Sequence, residues 1–131
     1  MIADSSAWIE LLRGRATPVA QRLERALKRG ERLFMPDVVY QEVLQGARDP
    51  HHFVRLQAQL DLVPPFIAQD ARQVAHLAAI LYARSRWQGS TLRSPNDCLI
   101  AACAIEADEP LLHADRDFDR IAEIDPRLRF A

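Results

Sequence analysis

The chain has 131 residues, 18 acids against 17 bases, and is 49% hydrophobic and 27% charged. That length suits a single domain spanning 1–131, able to bury roughly two-thirds of the surface an extended chain exposes. The near-neutral balance excludes a bulk-basic nucleic-acid binder, and no apolar run approaches the ~20 residues of a membrane helix, so no membrane association is expected.

Met1–Ala3 is short, apolar and closed by Asp4, as a buried strand would be; it lacks the basic start of a signal peptide, which makes a cytoplasmic location the expectation. Ser5 or Ser6 then caps a helix over Ala7–Arg13, stopped by Gly14. Thr17-Pro18 pairs a cap with the favoured first-turn proline and opens a helix that runs to Gly30, with Val19, Leu23, Ala26 and Leu27 on one face. Arg32–Met35 reads as a second strand, closed by Pro36. Asp37 caps Val38–Leu44, which Gly46 ends. Phe53, Leu56 and Leu60 mark another helix, broken by Pro64-Pro65.

Over about 70–86, Val74, Leu77, Ala78, Leu81 and Tyr82 fill the i, i+3, i+4, i+7, i+8 pattern of an amphipathic helix. A polar loop, Gln88–Arg93, leads to Ser94-Pro95 and an apolar helix over Asn96–Ala107. Leu111–His113 is a third strand, Phe118–Ile124 a short helix, and Leu128–Phe130 a last edge strand. Short apolar strands alternating with helices imply a mostly parallel sheet covered on both faces, with ligands outside the carboxyl ends of its strands.

Four carboxylates fall where such a site would lie: Asp4, Glu42, Asp97 and Asp115. Each of the three aspartates has an ordinary role available. Asp4 and Asp115 can cap the helices that follow them, and Asp97 stands three residues after Ser94, at capping-box spacing. Glu42 is harder to place, because it shares a helix face with Val38 and Val39; its ordinary role would be an ion pair with an arginine. Gathered in one cleft, four carboxylates would repel one another. A hard divalent cation with octahedral oxygen coordination, Mg²⁺ or Mn²⁺, relieves that repulsion and points to phosphodiester chemistry.

The same segments resemble the PIN-domain ribonucleases of the VapC toxin type. Asp4-Ser5-Ser6-Ala7-Trp8-Ile9-Glu10-Leu11-Leu12 is similar to their opening, and Pro36 through Glu42-Val43-Leu44-Gln45-Gly46 to their second motif. Asn96-Asp97-Cys98-Leu99-Ile100-Ala101-Ala102 resembles the third, and Leu111-Leu112-His113-Ala114-Asp115-Arg116-Asp117-Phe118 the fourth. The resemblance implies a three-layer α/β/α sandwich with a central parallel sheet. It also implies metal carboxylates at Asp4, Glu42, Asp97 and Asp115, with Asp117 as a neighbour able to share or take the fourth place. His113 departs from the Thr or Ser often found two residues before the fourth acid. The implied activity is metal-assisted hydrolysis of an RNA substrate, leaving a 5′-phosphate and a 3′-hydroxyl. A cognate antitoxin protein and homodimerisation are the implied partnerships.

Several residues outside the acids carry readings of their own. Ser6 positions a metal-bound water or phosphate, or only starts a helix. The segment holding Arg84, Arg86, Trp87 and Arg93 contains no acid, and offers phosphate contacts and a base-stacking ring; its alternative is a solvated helix end with Trp87 in the core. Trp8 belongs to the core or an interface, and His51, His52 and His76, with no partner acids at ligand spacing, to the surface or a helix face. Cys98 and Cys103, five apart on a helix, read as small buried hydrophobes rather than a disulfide or zinc site. Two rival functions remain. A phosphoaspartate enzyme would need a lysine near a strand end, and Lys28, the lone lysine, is not near one. A catalytically silent PIN scaffold that binds RNA or protein would not need all four acids.

Overall fold

In the computed structural model, which describes residues 1–131, helices predominate around a small parallel sheet. Strand β1 (Ile2–Ala3) leads into α1 (Ser5–Leu12) and α2 (Pro18–Arg29). Then come α3 (Asp37–Leu44), α4 (Pro50–Leu60), α5 (Ala71–Trp87), α6 (Pro95–Glu106), β2 (Leu111–Leu112) and α7 (Asp117–Ile124).

β1 and β2 pair in parallel, Ile2 opposite Leu111 and Ala3 opposite Leu112. Single parallel bridges widen this pair on both sides. Ile2 meets Phe34, Met35 meets Pro65, and Leu111 meets Phe130. Five chain segments therefore lie side by side in the order Pro65, Phe34–Met35, β1, β2, Phe130. The expected strand Arg32–Met35 contracts to its last two residues, and Leu128–Phe130 to one bridge. The Pro65 segment was not expected, since Pro64-Pro65 reads as a helix breaker. Pro65 has no N–H, but the bonds of this bridge run from Met35 N–H to Pro64 O and from Phe66 N–H to Met35 O, so none is lost.

Successive strand residues face opposite sides of a sheet. Ile2, Ala3, Leu111 and Leu112 are all buried, so both faces are covered. They join one core with Leu23 of α2, Val39 of α3, Leu60 of α4, Leu81 of α5, Ile100 of α6 and Phe118 and Ile121 of α7. Each such side chain contributes about 1.5–3 kcal/mol by leaving water. α6 is apolar almost all round, and its small residues Ala101, Ala102, Cys103 and Ala104 let α5 pack closely along it. Burial pushes the Cys98 and Cys103 thiols up to about 12, which leaves them inert as nucleophiles.

The helix boundaries follow local chemistry with small shifts. Thr17 caps α2 by accepting from Ala20 N–H, and Gly30 ends it in the left-handed conformation. Asp4, rather than Ser5 or Ser6, caps α1, and Pro36, rather than Asp37, stands at the cap of α3. α4 begins three residues before Phe53, where Asp49 accepts from His52 N–H and Pro50 takes the first turn. No helix is long and apolar enough to cross a membrane.

Candidate metal centre

β1 lies at the point where the strand order reverses: the chain moves outward from it through Phe34 to Pro65, then returns to its other side at β2. Ligand sites of parallel α/β sheets form at that point, beyond the carboxyl ends of the strands. Asp4 follows β1 directly, and its N–H donates to Leu112 O at 2.9 Å. Asp115 follows β2 by three residues. α3 packs against α1 and α6 and brings Glu42 to the same edge, while the first turn of α6 supplies Asp97.

Asp4 is buried, and its Oδ2 accepts from Ser6 N–H at 3.0 Å and from the Ser6 hydroxyl. Ser6 Oγ in turn accepts from Ala114 N–H at 3.0 Å. One hydroxyl thus ties the end of β1 to the turn that carries Asp115. Glu42 Oε1 accepts from Ser5 Oγ at 3.3 Å and has no lysine or arginine at ion-pair distance, which removes its ordinary explanation.

Arg116 stands at the cap of α7 without a side-chain cap bond, but Asp115, one residue earlier, serves the helix start, since its Oδ1 accepts from Asp117 N–H at 3.0 Å. Capping and ligation are compatible here. Asp115 commits Oδ1 to that N–H and to Arg93, and its Oδ2 has no protein partner. His113, where a hydroxyl was expected, accepts from Asp115 N–H through Nδ1 at 3.2 Å; its ring lies 5.1 Å from Phe118 and 4.5 Å from Phe130.

Asp97 differs from the rest. Ser94 Oγ caps α6 through Asn96 N–H, but the Asp97 carboxylate makes no return bond, so there is no capping box. It is 8% exposed and has neither a hydrogen bond nor an ion pair. Burial, then the charges of Asp4, Asp115, Glu42 and Asp117, push its carboxyl up to about 7. Burial also raises Asp4, against the hydrogen bonds of Ser6, and burial with the Asp4 charge raises Glu42. Asp117 moves the other way. Burial would raise it, but hydrogen bonds from the Arg93 side chain and backbone, with the Arg93 and Arg120 charges, hold it below the usual carboxylate range.

Asp97, Asp115 and Asp117 each offer an oxygen within 4.8 Å of the others. Asp4 and Glu42 stand outside that tight group, yet both act electrostatically on Asp97. A donor set made of carboxylate oxygens, with one buried member unpartnered, fits a hard divalent cation. A groove of about 500 Å³ between α3 and α4, lined by Leu44, Ala47, Pro50 and Phe53, contains none of these five acids.

Of the other singled-out residues, Trp87 is 68% exposed at the end of α5 and so is not a core residue. Arg86 is exposed beside it. Arg93, expected to offer its charge to a phosphate, reaches back to Asp115 and Asp117. Trp8 is buried with its indole Nε1 unpaired. Sequence reasoning missed the Arg93 and Arg120 contacts because neither is encoded in a local pattern.

Comparison with known proteins gives a consistent picture. The family model described as "PIN domain" matches residues 1–124. The chain is 36% identical over 125 residues to "VapC ribonuclease Mb1587" of Mycobacterium bovis, covering 95% of this chain and 92% of that protein. "Ribonuclease VapC11" of Mycobacterium tuberculosis matches to the same extent. Among solved structures, VapBC-1 from nontypeable Haemophilus influenzae superposes with a TM-score of 0.75 at 22% identity, covering 99% of this chain and 95% of that one. VapBC2 from Rickettsia felis, bound to a DNA fragment from its promoter, superposes at 0.71 with 19% identity, covering 99% and 96%.

Proposed function

The chain belongs to the PIN-domain family and is of the VapC type, and on that premise we propose that it is a Mg²⁺- or Mn²⁺-dependent endoribonuclease, the toxin of a toxin–antitoxin pair. The observation that carries the reading is Asp97. It is a buried carboxylate with no donor, raised to about 7 among Asp4, Glu42 and Asp115, and a bound cation is the partner it lacks.

Asp4, Glu42, Asp97 and Asp115 are the residues that would hold the ion. When bound, it supplies charge stabilisation at the scissile phosphate and a more acidic attacking water. The chain's own residues do the positioning. Ser6 fixes the Asp4 carboxylate and the Ala114 backbone together, so the two strand-end acids keep one spacing, and its hydroxyl borders the place of the water or phosphate. His113 holds the Asp115 backbone, the role a hydroxyl would have there. Arg84, Arg86 and Trp87 at the end of α5 provide charge and an exposed ring for single-stranded RNA leaving the centre.

The frame of this site is a three-layer α/β/α sandwich over one domain, 1–131, supported by the two-sided burial of β1 and β2. One solved structure of this fold is a toxin–antitoxin complex from Klebsiella pneumoniae, which supports a cognate antitoxin as partner; a homodimer and a cytoplasmic location complete the proposal. Calorimetric titration of Mn²⁺ into the wild type and Asp97→Asn tests it. Binding that depends on Asp97, together with metal-dependent RNA cleavage, supports the reading. Cleavage that survives in Asp97→Asn overturns it.

A further inference from the structure

Distance alone groups Asp97, Asp115 and Asp117, but hydrogen bonding divides them. Asp97 has no partner, whereas both oxygens of Asp117 face arginine. Oδ2 accepts from Arg93 Nε at 3.1 Å and Arg93 N–H at 3.3 Å, and Oδ1 pairs with Arg120 Nη1 at 3.5 Å. Asp117 is 1% exposed, while the Arg93 and Arg120 side chains are 69% and 44% exposed. Two guanidiniums therefore converge from the surface on one buried carboxylate.

Their place is set by two further bonds. Arg93 Nη2 reaches Asp115 Oδ1 at 2.7 Å, which puts this guanidinium against the carboxylate cluster itself. Arg120 Nη1 also donates to Thr91 O at 3.3 Å, locking α7 to the 88–94 loop. Arg93 Nη1 and Arg120 Nη2 make no hydrogen bond within the protein, so each side chain keeps donors for a ligand. A guanidinium held on one edge loses less freedom on binding an anion with the other, and its fork suits phosphate oxygens.

We propose that Asp117 is not a metal ligand but the anchor of an Arg93–Arg120 pair that binds the RNA backbone phosphate beside the acidic centre. The assignment rests on the nuclease reading and deepens it. RNA laid across a cluster of carboxylates needs a cationic hold outside them, and this pair is the one built against the cluster. Asp117 is a positioning residue and acts only through the arginines.

The test is binding of a fluorescein-labelled, single-stranded 12-mer RNA in EDTA, where no cleavage intervenes, over a series of KCl concentrations. Arg93→Ala/Arg120→Ala should weaken binding at least about tenfold. It should also reduce the log–log salt slope by about 0.7, the share of the one single-strand phosphate no longer neutralised. Asp117→Asn should reproduce much of that loss while its Mn²⁺ affinity stays near the wild-type value. An unchanged salt slope in the double variant overturns the proposal, and so does loss of Mn²⁺ binding in a folded Asp117→Asn. Tighter Mn²⁺ binding and faster cleavage by the double variant would make the pair a plug rather than a phosphate site, which also overturns it. The arginines are exposed, so the double variant decides the matter even if Asp117→Asn does not fold. Failure of wild-type protein to bind Mn²⁺ or cleave RNA would instead count against the nuclease reading.

Discussion

Replacing Asp97 by Asn should stabilise the metal-free protein, and by an amount that depends on pH. The wild-type carboxyl rises from 3.8 to about 7 on folding. An acid whose folded value is raised imposes no penalty below its unfolded value, a growing one between the two, and a constant one above the folded value. Here the penalty begins near pH 4 and is complete near pH 8. Three units at 1.36 kcal/mol each bound it at roughly 4 kcal/mol. Water reaching the rim of the cluster reduces this to about 2 kcal/mol. The substituted amide has the same size without the charge, and whatever hydrogen bonding it adds is constant with pH. Thermal melts in EDTA should show Asp97→Asn gaining on the wild type from pH 4.5 to pH 8, with a final advantage of about 6–10 °C. Saturating Mg²⁺ should reverse the order, since an ion at 100 times its Kd adds about 2.7 kcal/mol to the wild type alone. Cleavage by the variant should fall by at least about 100-fold, a loss that outer-shell changes at metal sites already approach. Melting curves that stay parallel at every pH would refute the reasoning.

Three further substitutions separate the roles of neighbouring residues. Glu42→Gln should raise the metal-free melting temperature at pH 8 and lower cleavage, because Glu42 also carries a raised carboxyl with no cationic partner; a lower melting temperature would point to an unseen ion pair. Ser6→Ala removes the acceptor of Ala114 N–H and frees Asp4, so it should cost about 0.5–1.5 kcal/mol in denaturant melts and reduce cleavage, with unchanged stability as the contrary result. Trp87→Ala removes an exposed ring, so the melting temperature should hold within a degree or two while affinity for single-stranded RNA falls by about 1–3 kcal/mol in an anisotropy titration. Equal affinity would move the strand path away from the end of α5.

Much of this site was legible because its acids sit at punctuation marks. Asp4 and Asp115 each follow an apolar run and precede a helix, and Asp97 follows a Ser-Pro helix start, so sequence placed all three at element ends. Glu42 was legible by contrast, as a charge on an apolar face. The departures have identifiable causes. Pro65 reads as a breaker because the sequence signal is the missing N–H, whereas its bridge uses the groups on either side. α4 starts at Pro50 because Asp49 caps it, a signal of the same kind as Thr17-Pro18 that the first apolar residue, Phe53, obscured. Arg93 groups with Arg84 and Arg86 in sequence because they are near neighbours there. Its partners lie 22 and 24 residues away, and only the docking of α7 on the 88–94 loop brings them together.

The central claim is that these carboxylates hold a cation that hydrolyses RNA with water rather than with the ribose 2′-hydroxyl. Mapping the ends left by purified protein on total RNA tests it most directly, in Mg²⁺, in Mn²⁺ and in EDTA. The account predicts 5′-phosphate and 3′-hydroxyl ends that appear with either metal and vanish in EDTA and in Asp97→Asn. Cleavage that persists in EDTA and leaves 2′,3′-cyclic phosphates would contradict it.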